Sequence, residues 1–196
     1  MTALKIAAVV LLLGVGAWAW EAHGRSGTER TLSGAASELA GRPVHVRCQS
    51  LWADLFSVHG ELGTVQFDAQ GRPSDSTWLT RESCGRLHRF VSSHGRDLSC
   101  LTAVDWSRFS WAQPHDACID RAAPVGQAVV TLTHEAMHLR GVRSESGAQC
   151  LAVQQVAWTV ARLGGDPATG TPLAKLARAW SGWMPSEYQL GNCPES

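Results

Sequence analysis

Hydrophobic and polar positions divide the chain into an apolar head and a patterned body. After a short start with one cation, Lys5, residues Ile6–Trp20 are an unbroken apolar run. Such a run is either a cleaved secretory signal or an uncleaved anchor. Ala17-Trp18-Ala19 has the small-x-small form that a signal peptidase accepts, whereas Trp18 and Trp20 stand where an aromatic belt lies at a membrane face. Counted from Leu4 the stretch is about 17 residues, the lower limit for spanning a bilayer, and the expectation is an N-terminal hydrophobic helix that anchors the chain. Either alternative sends the chain beyond Glu21 across the membrane. Residues 1–20 are thus the signal or anchor, the polar residues 21–31 a linker, and residues 32–196 the domain.

Within the body, Leu32–Ala40 predicts a short helix closed by Gly41. Pro43–Cys48 alternates like a strand, and Leu62–Phe67 is a second extended segment with Val65 and Phe67 on one face; the two are expected to pair. Ser76–Ser93 carries Leu79, Leu87, Phe90 and Val91 as an apolar stripe with Gly95 behind it, which predicts a helix. Cys100–Cys118 reads as a loop. Pro124 suits the first turn of a further helix, in which Val125, Ala128, Val129, Leu132, Ala136 and Leu139 repeat up to Gly141. Ser144 is placed to cap the next helix, running to about Leu163, and Thr171-Pro172 to open the last. The expected class is α+β, helix-dominated, with a small β element.

Composition alters this picture in two ways. Lys and Arg number 17 and Asp and Glu 17, so no net field points toward nucleic acid, which is excluded as a partner. The six cysteines form no CxxC pair, and an even count in an exported chain predicts a disulfide-stabilised domain. Many connectivities are open. Grouping chain neighbours, and tying the C-terminal tail to a helix, gives Cys48–Cys84, Cys100–Cys118 and Cys150–Cys193.

Candidate chemistry concentrates in His134-Glu135-Ala136-Met137-His138. Residues four apart on a helix share a face, so both imidazoles can meet one ion at about 2.0–2.1 Å. Glu135 projects beside them, where it can take a proton from water rather than ligate. With Ala128–Thr133 supplying an apolar back, the histidines are expected on the polar side of their helix. Catalytic sites need a third ligand and an open position. The run His134–Ser144 resembles the metzincin zinc motif up to Gly141; where that family carries a third His or Asp this chain has Ser144, a poor ligand. Glu145 comes next, and the turn at Gly141 can bring it back onto the motif. The residues Thr131–Cys150 thus resemble the zincin superfamily, the HExxH zinc metallopeptidases, in a gluzincin-like form with a short spacing to the third ligand. That resemblance implies a zincin-like domain, a Zn2+ cofactor held by His134, His138 and Glu145, Glu135 as general base, and a peptide or protein substrate. Asp166 and Glu187 are fallback ligands.

Around this core, Gln149 lies one turn past Glu145, either orienting a ligand from behind or forming plain helix surface. Tyr188 and Arg143 are candidates for oxyanion contact, the tyrosine being read first as an ordinary buried one. Arg140 and Arg143 otherwise balance a helix end. Trp158, Trp180 and Trp183 read as core; Trp106 and Trp111 as packing or a binding rim; His88, His94 and His115 as structural. Three functions stay open: an extracytoplasmic zinc peptidase, membrane-anchored or secreted; a non-catalytic, membrane-tethered binding or scaffold module of the same form; and a disulfide-rich domain without metal.

Overall fold

The computed structural model describes residues 26–50, 63–110 and 117–194; the apolar head, Trp111 and His115 lie outside the described residues. In chain order the elements are α1 (residues 26–40), β1 (His45–Cys48), β2 (Gly63–Phe67), β3 (Pro73–Leu79), α2 (Arg81–Ser93), a 3-10 stretch (Arg96–Ala103), α3 (Ala117–Leu139), α4 (Glu145–Arg162), α5 (Pro167–Ser181) and a 3-10 turn (Ser186–Tyr188). Among the described residues no helix is long and apolar enough to cross a membrane. The architecture is helix-dominated α+β around a three-stranded sheet.

Helix α1 begins earlier than its apolar positions suggest, so residues 26–31 of the expected linker are helical. Polar residues hold this first stretch through distant partners. The Thr28 hydroxyl lies 2.7 Å from Nδ1 of His88, and the Glu29 carboxylate accepts the Cys48 N–H at 2.8 Å. Further along, Ser33 Oγ accepts the Val46 N–H at 2.9 Å and Ser37 Oγ the Val44 N–H at 3.0 Å. One helix face thereby satisfies the outer edge of β1, while Leu32, Ala35 and Ala36 enter the core.

The strand order is β1-β3-β2, with β1 parallel and β2 antiparallel to β3. The two expected strands therefore do not pair with each other. Between them lies β3, whose last four residues, Ser76–Leu79, come from the start of the segment read as one helix. Its alternation is clear in burial, with Thr77 and Leu79 at 0 % exposure and Trp78 at 49 %. Leu79 fits both periods, which is why the sequence pattern misassigned it. Thr80 then caps α2, its Oγ1 accepting the Ser83 N–H at 3.2 Å.

Helix α3 starts at Ala117, so Pro124 lies inside it rather than in its first turn. Helix α5 starts at Pro167 rather than at Thr171-Pro172, because Asp166 accepts the Ala168 N–H at 2.9 Å and proline suits the first helical position. With α2, α4, α5 and strands β2 and β3 packed against it, α3 is enclosed on several sides. His134, Glu135 and His138 are 4–6 % exposed, so the motif lies in a buried stretch and not on a polar surface. Disulfides Cys48–Cys84, Cys100–Cys118 and Cys150–Cys193 form, the pairs expected from chain order.

Candidate metal centre

The site is built where α3 ends and α4 begins. Gly141 takes φ 109°, a conformation that side chains disfavour, and reverses the chain. The Gly141 N–H donates to His138 O at 2.8 Å and the Val142 N–H to Met137 O at 3.1 Å, closing the end of α3. Arg42 fastens that end from outside, donating to Leu139 O at 3.0 Å and to Ser74 O at 2.6 Å in β3. This sharp return sets Glu145, the first residue of α4, against the last turn of α3.

Three ligand-type atoms converge there. His134 Nε2 and His138 Nε2 are 2.9 Å apart, and Glu145 Oε2 lies 2.9 Å from the first and 3.2 Å from the second. The far side of each ring fixes its chemistry. His134 Nδ1 is 3.1 Å from Gln149 Oε1, and His138 Nδ1 is 2.7 Å from the Val142 carbonyl. Both partners are oxygens that only accept, so both Nδ1 atoms carry hydrogen and each neutral ring turns its Nε2 lone pair inward. Two lone pairs and a carboxylate oxygen pointed at one another are a donor set suited to a cation between them. A tetrahedral ion with ligands at about 2.0–2.1 Å needs ligand atoms about 3.3 Å apart, a few tenths of an ångström beyond these spacings. The donor set therefore fits a metal ion, and His134, His138 and Glu145 form a group that can hold one.

Electrostatics agree. The Glu145 carboxyl is held below the usual carboxylate range, first by a hydrogen bond from His134, against partial burial and aided by the charges of both histidines.

Glu135 stays outside the trio. It is 4 % exposed, its Oε2 lies 3.4 Å from the Thr77 hydroxyl, and Gly63 passes directly over it. A cleft of about 840 Å³ opens on the centre, its lining including Gly63, Thr64, Val65 and Phe67 of β2 and Trp180, Trp183, Met184 and Tyr188 from the end of α5 and the tail. Tyr188 is half-buried and lines this cleft, its ring centroid 5.7 Å from that of His134, so it is not an ordinary core tyrosine. Arg143 and Glu187 also line the cleft, Glu187 outside the group of three, and Asp166 is the cap of α5. Trp183 is 64 % exposed and Trp158 37 %, so neither is core, and Trp180 is only partly buried. Trp106 packs against Phe109. Gly63, Thr77 and Met184 carry no motif that marks them; only the strand pairing and the tail's return bring them to the site. No protein-family model, curated protein or solved structure matches the chain.

Proposed function

We propose that the chain is a zinc-dependent hydrolase of the HExxH type, a peptidase working outside the cytoplasm. It would be membrane-anchored through residues 1–20, or secreted if they are removed. The observation that carries this reading is the convergence of two oriented imidazoles and the Glu145 carboxylate, with a second carboxylate, Glu135, beside them but outside the trio. A structural metal site has no need of that extra acid. Three disulfides support the oxidising compartment.

Zinc held by His134, His138 and Glu145 supplies Lewis-acid polarisation of a scissile carbonyl and makes water more acidic. The remaining work falls to the chain's own groups. Glu135 removes the proton of the attacking water and delivers it to the leaving amine nitrogen. Its burial keeps the carboxylate among few competing waters, with the Thr77 hydroxyl beside Oε2. Tyr188 lines the cleft, where its hydroxyl can donate to the developing oxyanion, and Arg143 adds a cation to the lining. Among the described residues β2 pairs with β3 alone, so its other edge suits an extended peptide.

The test is zinc content and peptide hydrolysis of the full chain, disulfides intact, for wild type, His134→Ala and Glu135→Gln. The expected result is about one zinc per chain, lost in the first variant and kept in the second, with hydrolysis lost in both. Zinc retained without turnover on any peptide pool would make the domain a binding module. No zinc in wild type would remove the metal reading altogether.

A further inference from the structure

We infer that Ser181 is a positioning residue for the metal centre, acting through Gln149 to decide which ring nitrogen of His134 faces the ion. This rests on His134, His138 and Glu145 being metal ligands and on no catalytic activity.

Single hydrogens decide the orientation. Ser181 sits in the last turn of α5 at 0 % exposure, and its hydroxyl has one hydrogen to give. Its Oγ lies 2.8 Å from the Ala177 carbonyl, an acceptor only, so the hydrogen goes there. Toward Gln149 the same oxygen presents a lone pair, and at 3.1 Å it takes a hydrogen from Nε2. The other amide hydrogen has Met184 Sδ at 3.9 Å, a weak acceptor. With its nitrogen so engaged, Gln149 must turn Oε1 the other way, onto Nδ1 of His134 at 3.1 Å. Nδ1 then carries the hydrogen, and Nε2 offers its lone pair to the ion.

The flipped amide is worse at every contact. Its NH2 group would face Nδ1 and favour the tautomer whose Nε2–H points into the centre, where it blocks the ion. Its oxygen would face the Met184 sulfur and would draw the Ser181 hydroxyl off Ala177. Gln149 is 2 % and His134 6 % exposed, so water is poorly placed to repair either mismatch. Removing the hydroxyl leaves the weak sulfur contact as the only bias on the amide.

The test is zinc affinity by competition with a chelating dye, for wild type, Ser181→Ala and Ser181→Cys, each also in a Gln149→Glu background. Outer partners of metal-binding histidines are worth about 10–100-fold in affinity, and Ser181, one step further out, is expected at the lower end. Ser181→Cys keeps the buried volume with a much weaker hydrogen-bonding atom, so a matching loss there separates the effect from a cavity or from misfolding in Ser181→Ala. In the Gln149→Glu background either carboxylate oxygen accepts from Nδ1, no orientation remains to choose, and both Ser181 substitutions should cost much less than in the wild-type background. Wild-type affinity in both single variants, or losses undiminished in the Gln149→Glu background, would overturn the inference while leaving the centre standing. A wild-type chain that takes up no zinc would overturn the centre and this inference together.

Discussion

At Gly63 a Cβ would stand 2.7 Å from both Cγ and Oε1 of Glu135, closer than such atoms approach. The obstacle is the end of a side chain rather than backbone, so an added methyl displaces the carboxylate and leaves the strand in place. Gly63→Ala is therefore expected to fold and to bind zinc as wild type does, because it touches no ligand. Its kcat for peptide hydrolysis should fall about 10–100-fold with KM little changed, the scale on which sub-ångström to ångström misplacement acts. Full kcat in this variant, measured beside its zinc content, would mean that the position of Glu135 does not matter. Such residues mark the limit of what a sequence discloses. His134, Glu135 and His138 are legible because helical spacing alone brings the two imidazoles together. Glu145 is legible because Gly141 and Ser144 mark a break between helices, so its return is a local event. Gly63, Thr77 and Ser181 reach the site only through strand pairing and helix packing across long stretches of chain, and nothing in their neighbourhoods announces it.

Between elements, the seam of α1 with β1 shows the same contrast. Glu29, Ser33 and Ser37 recur every four residues and meet the N–H groups of Cys48, Val46 and Val44, which recur every two. Four helical residues rise about 6 Å and two strand residues about 6.6 Å, so the two ladders stay in step over this short length. The helix closes a strand edge that would otherwise offer itself to another chain. Ser33→Ala leaves the Val46 N–H without its partner beside the core and should lower stability by about 1–2 kcal/mol, with Ser37→Ala similar. Arg30→Ala, on the exposed face of the same helix, should shift it by less than about 0.5 kcal/mol. Denaturant unfolding measures all three, and equal effects at Ser33 and Arg30 would dismiss the seam as incidental. Here sequence patterns failed for a definite reason. Hydrophobic periodicity reports only apolar contacts, so the first turns of α1, held by Thr28 and Glu29, read as linker, and the helix is expected only from Leu32, where Ser33 and Ser37 already lie within it. In β3, Pro73–Leu79 offers just Trp78 and Leu79 as large apolar residues, too few to separate a period of two from one of 3.6.

For the molecule as a whole, the three candidate ligands come from α3 and α4, whereas much of the cleft lining comes from the tail beyond α5. That tail holds Trp183, Met184 and Tyr188 and has only a short 3-10 turn of its own. Cys193 near its end is joined to Cys150, one residue after Gln149 on α4. The link spans 43 residues, and a loop of that length is worth roughly 4 kcal/mol in chain entropy. Its pairing was legible from an even cysteine count and chain order, but the consequence for the cleft was not, since tryptophans at helical spacing read as core. Replacing Cys150 and Cys193 together by serine should lower the unfolding midpoint while the chain still takes up zinc, because the three ligands and the turn at Gly141 are untouched. Peptide KM should rise about tenfold or more, since the substrate loses an ordered wall against which it is held. Cys100 and Cys118 provide the control. Their disulfide sits at the opposite end of α3 from the motif, spans 18 residues, and should cost roughly 3 kcal/mol when removed. Comparable destabilisation in the two variants, with KM raised only in the first, would assign the Cys150–Cys193 link to the cleft; KM unchanged in both would mean that the tail does not form its wall.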